Sequence, residues 1–148
     1  MTQEDKDLLF KDLSARLPYG VKAYMKKWSK LDRKYYEGVY TVESVHPSLN
    51  DIYGSTENGS VEVILGCSDY DIKPYLFPLS SMTEEQKEEY HYIVNYISPD
   101  DTENWAEGEF VYVNQIEQLL HFYHVNHLDY RGLIPKDLAL DATGLNIY

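Results

Sequence analysis

Apolar residues in this chain recur first every three to four positions, then every second position, then every three to four again. The opening run, 3–17, sets Leu9, Leu13, Arg16 and Leu17 on one side of a helix with Phe10 beside them, and Thr2 stands where an N-cap belongs. Pro18-Tyr19-Gly20 stops it. Val21, Ala23 and Met25 then alternate with Lys22, Tyr24 and Lys26, the period of a half-buried strand. After the polar connection SKLDRK, a second strand is predicted over 36–45, with Tyr40 and Val42 on the face opposite Thr41 and Glu43. His46-Pro47-Ser48 breaks it. Ile52-Tyr53 and 61–65 bracket GSTENGS, whose Asn58-Gly59 signals a tight turn. Residues 72–76 read as the last strand of an antiparallel meander. No βαβ alternation is visible, so no parallel sheet is expected.

The stretch 69–97, DYDIKPYLFPLSSMTEEQKEEYHYIVNYI, turns the chain from sheet to helix. Pro74 and Pro78 lack a backbone donor and suit an edge segment or a strand end. Thr83 and Gln86 have the spacing of a capping box, and Glu84 and Glu85 sit where the helix dipole favours negative charge. Tyr90, Ile93, Val94 and Ile97 form one buried face, and Ser98-Pro99 ends the helix. PDDTENWAEGE follows as an acidic loop around Trp105, with a short strand at 110–113. Asn114 and Glu117 then cap a third helix whose buried stripe is Ile116, Leu119, Leu120 and Tyr123. The tail alternates apolar clusters with Gly132, Pro135 and Gly144, and is too apolar to prefer solvent. The pattern as a whole predicts a single α+β domain over 1–148. It has an antiparallel sheet of four or five strands flanked by three helices.

Charge narrows the function more than composition does. The chain carries 25 acidic and 13 basic residues, a formal net charge of −12. Residues 1–36 hold nine Lys/Arg against five Asp/Glu, whereas 37–148 hold four against twenty. An acidic body argues against general nucleic-acid binding, because phosphates repel it. No apolar run approaches a membrane span, and the charged N-terminus does not read as a signal peptide. The single cysteine, Cys67, excludes an internal disulfide and fits a reducing, cytoplasmic setting. Fifteen tyrosines against four Phe and two Trp suit half-exposed faces and contact surfaces.

Three segments carry a resemblance. LSARLPYGVK, IKPYLFPLSSMTEEQKEEY and HLDYRGLIPKDLALDATGLNIY resemble, in that order, a group of uncharacterised short hypothetical proteins encoded by anaerobic gut bacteria and their phages or mobile elements. The match covers about one third of the chain, and its last block is the most specific part. In that group the last helix ends in a His-His-Phe-Asp-Tyr-Arg-Gly-like run. Here the equivalent is Asn126-His127-Leu128-Asp129-Tyr130-Arg131-Gly132, with the first histidine replaced. The resemblance implies a phage or mobile-element origin and a shared architecture, and it implies no reaction.

Candidate chemistry gathers at few places. His121, His124 and His127 are spaced HxxHxxH. On a helix the outer two point about 120° apart and lie roughly 9 Å apart along the axis, too far for one ion. No metal and no cofactor is therefore expected. That geometry leaves a surface His121, a boundary His124 and a His127 on the Ile116–Tyr123 face, hydrogen-bonded to the tail. His127, Asp129 and Arg131 form the most polar cluster beside a packing surface. Such groups occur at catalytic sites, and they also pin irregular backbone. Asp69-Tyr70-Asp71 lacks the glycine and distal glutamate of a calcium loop. No G-x-S-x-G or phosphate-binding glycine loop is present. The segment 22–36 interleaves lysines and arginine with Tyr24, Trp28, Tyr35 and Tyr36, residues that anchor protein interfaces or stack on single-stranded nucleic acid.

The expected function is a non-catalytic interaction or regulatory protein with another protein as partner, no membrane, and nucleic acid disfavoured. Its candidate binding residues are Trp28, Tyr35, Tyr36, Trp105, His127, Asp129 and Arg131. The alternatives are a small hydrolase-like enzyme using His127 and Asp129, with a metal at His124, and a nucleic-acid-binding accessory protein using 22–36.

Overall fold

The computed structural model describes residues 1–29, 33–49, 51–56, 61–64, 70–95 and 105–148, with the backbone alone at 27–29, 34–35, 61–64, 70–71 and 105–113. The order of elements is α1 (Gln3–Arg16), β1 (Lys22–Ser29), β2 (Lys34–His46), β3 (Asp51–Ser55), β4 (Val61–Ile64), β5 (Tyr70–Leu76), α2 (Glu84–Asn95), α3 (Trp105–Val125) and β6 (Leu140–Asp141), with short 3-10 turns between some of them. The class is α+β, three helices with a mostly antiparallel sheet, as the hydrophobic pattern predicts. Contacts gather into two compact units. A sheet unit comprises Met1–Leu76 and Arg131–Tyr148, and a helical unit comprises Phe77–Tyr130.

In the sheet unit the strands lie in the order β4-β3-β2-β1-β5-β6. The hairpins β1–β2 and β3–β4 are those the alternation predicts, though Asn58-Gly59 lies outside the described residues. β5 departs from the meander: it pairs antiparallel with β1, on the side of β1 away from β2. Sequence neighbours are spatial neighbours in only roughly two-thirds of cases, and here the core decides. Ile72 lies opposite Met25, and with Leu76 it joins Ala23, Val42, Ile52 and the α1 residues Leu9, Phe10 and Leu13 in one buried cluster. A bulge between Val42 and Ser44 returns Val45 to that same face. The short parallel strand β6, not anticipated from the sequence, reaches only Tyr75 and Leu76. Pro74, although buried, thus sits beyond its pairing and keeps the partial edge that a proline needs.

The helical unit corrects the reading of 105–114. The expected loop around Trp105, the expected strand at 110–113 and the expected cap at Asn114 are all one continuous helix, α3. A short apolar run such as FVYV cannot be told from a buried helical stretch by period alone. The buried side of α3 is rotated as well. Gln115 and Phe122 are buried, whereas Ile116 is 54% and Leu120 37% exposed. Counting apolar residues alone missed that Gln115 and the half-buried Asn126 share the packed side. Ile93, Phe122 and Leu128 form this unit's core, with Phe77, Met82, Tyr90, Leu119 and Tyr123 packed against it. Ile97, Ser98 and Pro99 lie outside the described residues.

Candidate functional site

The run His127-Leu128-Asp129-Tyr130-Arg131-Gly132 was the most specific sequence feature, and the structure divides it between the two units after Tyr130. α3 ends in a Schellman arrangement: Leu128 N–H bonds the Tyr123 carbonyl at 2.9 Å, and His127 N–H bonds the His124 carbonyl at 3.1 Å. His127 therefore occupies the left-handed position, with φ 50°, where glycine is usual. The chain then runs beside Phe77, whose N–H bonds the His127 carbonyl at 2.9 Å and whose carbonyl accepts from Asp129 N–H at 2.8 Å. Side chains of both His127 and Asp129 are buried. His127 is held by its backbone in the turn that ends α3, whereas the sequence reading set it on the helix face of Ile116 and Tyr123.

Tyr130 closes the helical unit over α3. Its ring stacks on Tyr123 at 4.8 Å between centroids and 8° between planes, and its hydroxyl lies 2.9 Å from His124 Nε2. Tyr90 and Phe122 continue this aromatic cluster. Burial pushes the Tyr123 hydroxyl up to about 12, helped by a hydrogen bond with Tyr90. His121 is exposed, His124 lies buried against Tyr130, and His127 sits on the turn. Among the described residues no group of three or more His, Cys, Asp or Glu is arranged to hold a metal.

Arg131 belongs to the sheet unit, where its Nε lies 3.2 Å from Asp12 Oδ1 in an ion pair that lacks a hydrogen bond's alignment. Asp12 Oδ2 accepts from Arg16 Nε at 2.7 Å, and both of those side chains are fully buried. Sequence reasoning set Arg16 on the packed side of α1 but missed Asp12. The signal was there in the i, i+4 spacing of the two residues along the Leu9–Leu13 stripe. It also missed Tyr148, whose hydroxyl donates to the Tyr75 carbonyl at 2.7 Å and accepts from Lys22 N–H at 3.2 Å. Burial of that hydroxyl raises it to about 12, although 41% of the residue's surface is exposed. Arg131 and the tail thus enter the sheet unit as packing, with Leu133 fully buried behind them.

The remaining candidates lie elsewhere. The β1–β2 register sets Trp28 opposite Tyr35 and Lys27 opposite Tyr36. Tyr36 is 40% exposed, while the side chains of Trp28, Tyr35 and Trp105 lie outside the described ones. Cys67 and Asp69 are likewise outside the described residues. The basic face of this hairpin is partly neutralised, because Glu37 accepts from the Tyr24 hydroxyl at 2.7 Å and lies 3.9 Å from Lys26 Nζ. The structure does not bring these residues and the 127–131 run into one described cluster. Of the exposed large apolar side chains in the helical unit, Ile116 and Leu120 stand one turn apart on α3, about 40° from each other around the axis. Among the described residues no helix is long and apolar enough to cross a membrane.

Comparison with protein-family models, curated proteins and solved structures returned no match.

Proposed function

We propose that this chain is a non-catalytic protein-interaction or regulatory module of phage or mobile-element type. It acts in the cytoplasm on a host- or element-encoded protein. The observation that supports this reading is the pair Ile116 and Leu120, exposed on a helix whose other side is already packed by Gln115, Leu119 and Phe122. Burying a side chain of this size is worth roughly 1.5–3 kcal/mol, so two on adjacent turns provide an anchor for a partner. The polar groups of the 127–131 run and the neighbouring His124 support it too, since His124 and Arg131 are engaged inside their own units and His127 and Asp129 are buried.

The test is affinity capture from the native host with wild-type chain and Ile116→Ser/Leu120→Ser in parallel, followed by binding measurements on the purified captured protein. A protein that binds the wild type and loses at least about tenfold in affinity for the double variant, roughly 1.4 kcal/mol, is the expected result. Equal binding to both chains would remove α3 as the docking face.

A further inference from the structure

We infer that the surface docked on this face of α3 is a lysine- and arginine-rich protein surface with an apolar centre. The inference rests on the reading of α3 given above, and it is carried by how charge divides between the units. The helical unit, Phe77–Tyr130, contains eleven Asp/Glu and one Lys, a formal net charge of −10. The sheet unit contains fourteen Asp/Glu and twelve Lys/Arg, a net of −2. Just over a third of the chain therefore carries most of the total of −12.

Apart from the buried Asp129, that charge faces outward where its side chains are described. Glu84, Glu85, Glu88 and Glu89 are exposed on α2, and Glu117 is exposed beside Ile116 on α3. Lys87 bonds Glu84 and is the unit's only cation. The first-turn pair suits the helix dipole, but Glu84 with Glu88 and Glu85 with Glu89 are like charges at i, i+4 that repel on the helix surface. A cationic partner relieves that repulsion and is steered towards it, whereas nucleic acid and anionic membranes are repelled. A second copy of this chain is a poor occupant, since its sheet unit is still net acidic. The complementary surface is a basic protein face of the kind that contacts nucleic-acid phosphates, with an apolar centre to receive Ile116 and Leu120.

The test uses the full chain and three labelled peptides read by fluorescence anisotropy: an amphipathic Leu/Lys helix, a Leu/Glu helix of the same pattern, and a Lys/Ser peptide without an apolar face. The wild-type chain is expected to bind the Leu/Lys peptide at least about tenfold tighter than either of the others, with affinity falling as salt screens the charges. The Ile116→Ser/Leu120→Ser chain and the Glu84→Gln/Glu85→Gln/Glu88→Gln/Glu89→Gln chain should each lose a similar factor. Because the three peptides are compared on unaltered protein, the result does not depend on a variant folding. Equal binding of the Leu/Lys and Leu/Glu peptides would overturn the charge inference and leave the docking face standing. Loss with the Gln variant but not with the Ser variant would remove α3 as the docking face, and with it the inference that rests on that face. Sedimentation showing a dimer that the Ser variant abolishes would assign the face to a second copy instead.

Discussion

Asp12 sits fully buried between two arginines, and its removal would leave Arg16, itself fully buried, without that counter-charge. Breaking a buried pair in this way costs about 3–5 kcal/mol, so Asp12→Ala should lower the urea midpoint by a large fraction of the domain's stability. An unchanged midpoint would mean that the cluster is not holding α1 to the tail. The tyrosines give a second residue-scale test. The Tyr123 and Tyr148 hydroxyls are both raised from 10.0 to about 12 in the folded chain. A group whose pKa is higher folded than unfolded keeps its full contribution below the unfolded value and loses it as pH rises through the folded one. Stability should therefore fall between pH 10 and about 12, and ultraviolet titration of the fifteen tyrosines should show a late-ionising set that Tyr148→Phe reduces. All tyrosines ionising together near their ordinary value, with no loss of stability, would contradict it. Neither feature was read from the sequence. Asp12 looks like one more polar helix residue, and Tyr148 acts on partners far from it in the chain.

At the scale of elements, local rules read well where they are local. Thr83 and Gln86 exchange both capping hydrogen bonds on α2, as their spacing predicts, and Thr2 caps α1 as expected, in a reciprocal pair with Asp5 that the sequence reading did not name. The strand faces of β1 and β2 follow their alternation. What failed needed non-local information: β5 crosses to β1 because the core calls for Ile72 there, and α3 begins at Trp105 through residues that look like strand. Asn114 offers a clean check. As an N-cap, its change to alanine would cost about 0.5–2 kcal/mol, but inside α3 the same change replaces a weaker helix former by a better one. Asn114→Ala is expected to leave the thermal midpoint unchanged or raise it, and a clear loss would restore the cap. The tail is tested by Leu133→Ala, which empties a fully buried position and should cost about 2–5 kcal/mol. Calorimetry showing no change would make the tail dispensable to the sheet unit.

For the whole molecule, the separation is of charge as well as of contacts. The sheet unit is nearly balanced, and its basic hairpin, which suggested nucleic acid, carries Glu37 among its lysines. The helical unit is acidic and presents apolar side chains on α3. Charge imbalance was legible in the sequence as a basic first quarter and an acidic remainder, but its true boundaries follow the units, which join segments distant in the chain. The exposed pair on α3 was misread as core for a similar reason: amphipathic counting finds apolar residues but cannot say which of them the fold covers. Hydroxyl-radical footprinting of the free chain and of its complex with the captured partner tests the proposed docking face most directly. In the free chain Ile116, Leu120 and Tyr92 should be oxidised and Phe122, Leu128 and Leu133 spared, following their exposure. In the complex, protection should appear at Ile116 and Leu120. Protection confined to the β1–β2 hairpin, with Ile116 and Leu120 oxidised as before, would contradict α3 as the docking face.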